Sequence, residues 1–178
     1  MCQNYNGARF DSGGRSNEFN SILKSEQIQT KAAEKLNEGD ILSALELYSQ
    51  ANDVHSSGNI LYNIGICNYQ LGKIDEALKS WELSLKDMPL EADVHVNIAN
   101  VYYLNKKNTE KAIEHLGIAN SISPNDGEIA YNYGCILDAS GRLEEAIEKY
   151  KVAFENNIPN AQVNIRNALI KLSSKKLQ

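Results

Sequence analysis

The sequence predicts an all-α solenoid of about four helix–turn–helix units followed by one C-terminal helix. Three observations predict it. The first is residues 58–89, GNILYNIGICNYQLGKIDEALKSWELSLKDMP. Leu61, Ile64, Gly65 and Tyr69 fall at helical spacing, Gly72 breaks the pattern, and Ala77, Trp81 and Leu85 resume it before Pro89. The second is recurrence: the small residues Ala44, Ala77, Ala112 and Ala146 are spaced by 33, 35 and 34. Tyr48, Trp81, Leu116 and Tyr150 follow four positions later, and Ala51, Ser84, Ala119 and Ala153 three after that. The third is length. Each helix pair is too short to hide both of its apolar stripes, so similar neighbours must cover them.

In chain order, residues 1–16 are rich in Gly, Asn and Ser without periodicity, and read as a flexible arm. Residues 17–172 form one domain. Helical patterning starts near Asn17 with Phe19, Ile22 and Leu23 and continues through Ile28, Ala32 and Leu36 to a stop at Gly39. Asp40 is placed to cap a second helix bearing Leu42, Ala44, Leu45, Tyr48 and Ala51. The units span about 25–57, 58–91, 92–126 and 127–160. The third has no turn glycine, only Asn105–Lys106–Lys107–Asn108, with Thr109 expected to cap the following helix. In the fourth, Gly141 turns the chain between Leu137 and Ala146. A capping helix over 161–172 carries Val163, Ile165, Ala168, Leu169 and Leu172, leaving 173–178 as a tail. Its Gln162, Asn164, Arg166, Lys171, Lys175 and Lys176 read as a polar end that opposes further stacking.

This pattern resembles the tetratricopeptide repeat, whose 34-residue unit carries a large residue, Leu-Gly, Tyr, then Ala, an aromatic and Pro. The resemblance covers about residues 25–159. The first unit departs with Ala32 in place of glycine and Ser56 in place of proline, and the third has one extra residue. The resemblance implies a right-handed superhelix whose first helices line a concave groove.

Composition bounds the function. The 178 residues are 42% hydrophobic and 23% charged, ordinary globular usage. A net charge of −5 disfavours a broad nucleic-acid surface. No apolar run approaches the ~20 residues needed to cross a bilayer, and there is no secretory signal pattern. Cys2, Cys67 and Cys135 are an odd, scattered set that reads as free thiols in a reducing compartment, cytoplasmic or nuclear. His55, His95 and His115 have no Cys or His at metal-ligand spacing. No phosphate loop or catalytic triad is evident, and Asp75–Glu76 and Glu144–Glu145 complement helix starts. The chain reads as a non-enzyme without a cofactor.

The first helices are more informative. Asn63, Asn97 and Asn132 occupy one aligned position, in the strings YNIG, VNIA and YNYG, and Arg166 is expected there in the last helix. A side-chain amide offers a donor and an acceptor, so a column of them can pair with an extended peptide backbone. This resembles the asparagine ladder in the repeat domains of O-GlcNAc transferases and kinesin light chains, which implicates Asn63, Asn97 and Asn132. Tyr62, Tyr69, Asn100, Tyr103 and Tyr131 are expected beside them, where tyrosines give contact area at low entropic cost. The lysine–asparagine–arginine clamp with which some such domains hold chaperone C-terminal carboxylates is not matched. Gln29, Ala33, Asp93 and Asn97 stand where it needs lysine, asparagine, lysine and arginine. The expected function is a scaffold or adaptor holding a protein or peptide in its groove. The alternatives are a self-associating module, a homodimer included, or the targeting domain of a longer enzyme.

Overall fold

A computed structural model describes residues 12–175, with side chains from Ser16 onward. Its elements are all helical: α1 (Ser12–Asn37), α2 (Ile41–Val54), α3 (Gly58–Gln70), α4 (Ile74–Asp87), α5 (Ala92–Leu104), α6 (Thr109–Ile122), α7 (Gly127–Ala139), α8 (Leu143–Glu155) and α9 (Ala161–Lys175). Each helix packs against the next, so the chain forms four antiparallel pairs and a ninth helix on α8. Residues 1–11 and 176–178, including most of the expected arm and Lys176, lie outside the described residues. Residues 12–16 were expected within the arm but already belong to α1. At about 1.5 Å per residue, α1 therefore extends roughly 20 Å ahead of Ser25, where the first unit begins. At the other end, α9 continues to Lys175, past the expected stop at 172.

Within a unit the two helices interlock through one small residue and one large one. A Cβ added at Gly65 would lie 2.3 Å from Nε1 of Trp81. One added at Gly134 would lie 2.7 Å from the Tyr150 ring. The missing side chains thus make room for rings that are almost wholly buried. The Trp81 indole then donates a hydrogen bond of 3.1 Å to the Tyr62 carbonyl, which satisfies its buried N–H. In the third unit the small residue is Ala99 and its partner shrinks to Leu116.

Between units, a pair of residues seven apart on each first helix packs on the preceding unit. Ile60 and Cys67 meet Ala44, Tyr48 and Ala51. Val94 and Val101 meet Ala77, Leu78 and Trp81. Ile129 joins Ala92 and Ala119, and Ile136 joins Ala99, Ala112 and Leu116. Burial pushes the Cys67 thiol up to about 11, so it serves as a packing group. Hydroxyls tie helix ends together: Ser84 donates to the Gly58 carbonyl at 2.9 Å, and Ser25 to that of Ala51 at 3.0 Å.

The turns explain the irregular third unit. Gly39, Gly72 and Gly141 adopt positive φ of 81°, 75° and 80° between paired helices. In the third unit Lys107 takes this conformation, with φ 53°, despite its Cβ. The cap of α6 is Asn108, whose Oδ1 accepts from the Lys111 amide at 3.0 Å. Thr109 was expected there, but it is already the first helical residue.

Two histidines that sequence spacing keeps apart meet between α5 and α6. Nδ1 of His95 and Nδ1 of His115 are 3.1 Å apart, and the Tyr102 ring stacks on His115. At this separation one ring donates and the other accepts, so the two rings cannot both be protonated at Nδ1. Burial lowers the affinity of both rings for a further proton. For His115 the neighbouring His95 and Lys111 add to the effect, against Glu114.

Three predictions follow from this packing. Gly65→Ala costs about 1–3 kcal/mol in denaturant unfolding by forcing Trp81 out of its seat. Combining it with Trp81→Leu, the pairing used by Ala99 and Leu116, gives a total smaller than the sum of the single effects by about 1 kcal/mol. Additive effects would contradict the interlock. Lys107→Gly raises stability by about 0.5–1 kcal/mol by removing the left-handed Cβ penalty, and unchanged or lower stability would contradict that.

The histidine pair gives a pH dependence whose sign is fixed. Both folded-state values lie below 6.5, the ordinary value. Below pH ~6.5 the unfolded chain therefore binds more protons, and stability falls on acidification. Thermal melts between pH ~7.5 and ~5.5 should show this fall, with His115→Phe reducing it by about half. A fall of equal size in His115→Phe would exclude the pair as its source.

Candidate functional site

On each first helix, one set of residues packs on the preceding unit and another on the unit's own second helix. A third set remains on the open side. Asn63, Asn97 and Asn132 belong to it, flanked by Tyr62, Val96 and Tyr131, which also pack partly against the core, and all six are half-buried. This is the surface that the helix stagger leaves uncovered.

The asparagines are tied down to different extents. Asn63 donates from Nδ2 to the Asn59 carbonyl of its own helix at 2.9 Å. Asn97 donates across the unit boundary to the Tyr62 hydroxyl at 3.2 Å. Asn132 makes no hydrogen bond among the described residues. It lines, with Tyr131, Glu128 and residues 158–160, a cavity of about 270 Å³. No described donor reaches Oδ1 of Asn63, Asn97 or Asn132. Three amide oxygens on successive units are thus available as acceptors, with at least one spare N–H each.

The last helix corrects one expectation. Asn164, not Arg166, repeats the role of Asn97: its Nδ2 donates to the Tyr131 hydroxyl at 3.2 Å, as Asn97 does to Tyr62. Burial agrees, because Ala161 and Ala168 are fully buried like the earlier pairs seven apart, Ile60 with Cys67 and Val94 with Val101. The register of α9 is therefore two residues earlier than the sequence alignment placed it. Two left-handed residues, Asn157 with φ 58° and Asn160 with φ 66°, shape the loop that makes this shift. Arg166 is displaced to the outer face of α9. The expected polar end is only partly present: Gln162, Arg166 and Lys175 are exposed, but apolar residues stand among them. Asn164 turns inward, Lys171 is held by Asp138 at 2.8 and 3.0 Å, and Val163, Leu169 and Ile170 stand 54%, 48% and 56% exposed.

The remaining expected residues are distributed along the same stack. Asn100 and Tyr103 are half-buried on α5. Tyr69 is 37% exposed with its ring 6.0 Å from that of Trp81, so it is partly a packing residue of the α3–α4 pair. Burial raises the Tyr62 hydroxyl above its ordinary range, keeping it neutral and able to donate onward while accepting from Asn97. The tyrosine–asparagine pairing escaped the sequence reading because it joins residues 35 and 33 apart. The recurrence of Tyr followed by Asn in YNIG and YNYG was its only signal. Among the described residues no three His, Cys, Asp or Glu side chains converge on a possible metal position. No described helix is long and apolar enough to cross a membrane.

Comparisons with known proteins place this geometry. No curated protein sequence matches the chain. Among solved structures, YrrB, described as a TPR protein with an unusual peptide-binding site, superposes with a TM-score of 0.72 at 19% identity, covering 91% of this chain and 84% of that one. MamA superposes with a TM-score of 0.69 at 20% identity, over 78% of this chain and 81% of that one. The first TPR of Spaghetti (RPAP3), bound to the HSP90 peptide SRMEEVD, gives a TM-score of 0.60 at 22% identity, over 66% and 94% of the two chains. At these identities the likeness concerns the fold. Family models described as tetratricopeptide repeat match residues 30–89 and 127–156, together about half the sequence. The one helix pair between the two matches, α5–α6, repeats the same packing, and the chain belongs to the tetratricopeptide repeat family.

Proposed function

We propose that this protein is a non-catalytic interaction module that holds an extended peptide segment of a protein partner in its concave groove. The observation that carries the reading is the row of amide oxygens on Asn63, Asn97 and Asn132, one per unit, with no described donor. Backbone N–H groups of an extended chain supply such donors at every residue except proline. Successive first helices lie roughly 10 Å apart, and three extended residues at about 3.3 Å each cover that distance. The groove thus suits reading the backbone at every third residue, with Tyr62, Asn100, Tyr103 and Tyr131 selecting side chains between. This arrangement is of the kind found in the asparagine ladders of O-GlcNAc transferase and kinesin light chain repeats. The peptide-bound state of the RPAP3 repeat and the peptide-binding site named for YrrB support the class of function.

The occupant differs in chemistry from the acidic peptide SRMEEVD bound by the RPAP3 repeat. Asp93 lies exposed on α5, and Gln29 and Ala33 offer no cation to a carboxylate. A peptide without a terminal carboxylate requirement fits this surface better.

The test is selection of a displayed library of random 12-residue peptides on the intact protein. Peptides recovered should bind wild type and lose at least about tenfold in affinity to an Asn63→Ala, Asn97→Ala, Asn132→Ala variant whose melting curve is unchanged. N-methylation of alternate backbone positions should weaken them similarly, because it removes the donors. Equal affinity for the folded variant would place binding elsewhere and contradict the reading.

A further inference from the structure

We propose a second docking site, separate from the concave groove, on the outer face of α9: it accepts an amphipathic partner helix that presents a carboxylate to Arg166. Once α9 is aligned through Asn164, Ala161 and Ala168, its Ile165, Arg166 and Leu169 take the places held by Ile64, Gly65 and Asn68 in α3 and by Tyr133, Gly134 and Leu137 in α7. In those helices this stripe seats the unit's own second helix: Gly65 receives Trp81, and Leu137 packs with Ala146 and Tyr150. On α9 no described helix covers the same stripe. Gln162, Val163, Arg166, Leu169 and Ile170 line a cavity of about 770 Å³ running along it. The face therefore continues the helix-to-helix interface used four times within the chain.

The charge of the face specifies its occupant. In the complete units the central residue of the stripe is Ala or Gly, which admits an aromatic ring or leucine. Here it is Arg166, whose guanidinium makes no ion pair or hydrogen bond among the described residues. α9 carries Arg166, Lys171 and Lys175 and no Asp or Glu, and Asp138 engages Lys171 alone. A guanidinium standing among Val163, Leu169 and Ile170 is satisfied by a carboxylate arriving within an apolar helix face, where a bidentate pair is partly shielded from water. A helix with Glu where Trp81 stands in α4 has this pattern.

The experiment uses two synthetic peptides of residues 74–87, one with Trp81→Glu and one with Trp81→Lys, titrated into the intact protein by fluorescence anisotropy. The glutamate peptide should bind at least about tenfold more tightly than the lysine peptide. Arg166→Glu in the protein should reverse that order, and Leu169→Asp should abolish both. The triple asparagine variant should bind the glutamate peptide as wild type does, which keeps this result independent of the concave groove. Equal binding of the two peptides, or none, would overturn the proposal. So would sedimentation showing that the protein self-associates through this face, with loss in Leu169→Asp, since the occupant would then be a second copy. Flotation with phosphatidylserine vesicles that Leu169→Asp abolishes would likewise overturn it in favour of a lipid surface.

Discussion

The fit of a large side chain on each second helix into a gap on the preceding first helix is the constraint on which the rest depends. At Gly65 and Gly134 the gap exists because a Cβ is absent, and Trp81 and Tyr150 fill it almost completely. A ring seated there fixes both the distance and the rotation of its helix pair, because interiors pack too densely to tolerate sliding by one residue. With rotation fixed in every pair, the pairs seven apart, such as Ile60 with Cys67 and Val94 with Val101, all face the preceding unit. The solenoid is the repetition of these two contacts.

The concave row is a consequence of the same geometry. Residues that serve neither contact are left on the open side, at the same place in each unit. Asparagine at that place is held half-buried by its neighbours, and Tyr62 and Tyr131 bridge to the following first helix through Asn97 and Asn164. A bridge of this kind orients the amide without consuming its acceptor. At Asn97 fold stability and a free acceptor are therefore not in competition. The end of the stack differs: α9 has both the inward contacts of a first helix and an unfilled seat, at whose centre a charged residue replaces the small one.

Much of this was legible in the sequence. The 33- to 35-residue recurrence of Ala44, Ala77, Ala112 and Ala146 and the breaks at Gly39, Gly72 and Gly141 locate the four units, because burial and backbone handedness both leave a residue-level mark. What escaped lies where the mark is absent or shared. Lys107 adopts the turn conformation of glycine, so the third turn carried no signal. Asn108 and Thr109 are both good caps, and only backbone geometry distinguishes them. The start of α1 inside a Gly- and Ser-rich stretch contradicts local propensity. Arg166 was aligned by constant spacing, whereas the loop with Asn157 and Asn160 in left-handed conformations shifts α9 by two residues. The outer face of α9 is accordingly mixed, with Val163, Leu169 and Ile170 beside Gln162 and Arg166, where a polar one was expected. The meeting of His95 and His115 needs the pairing of α5 with α6, which spacing within one helix does not reveal.

The most direct test of the central claim, that the amide row contacts a bound peptide backbone, is an NMR titration of asparagine-labelled protein with a library-selected peptide. The account predicts that the side-chain amide signals of Asn63, Asn97 and Asn132 shift together and saturate at one peptide equivalent, while those of Asn120 on α6 and Asn167 on α9 stay in place. Saturating binding that leaves the three groove amides unmoved would contradict it.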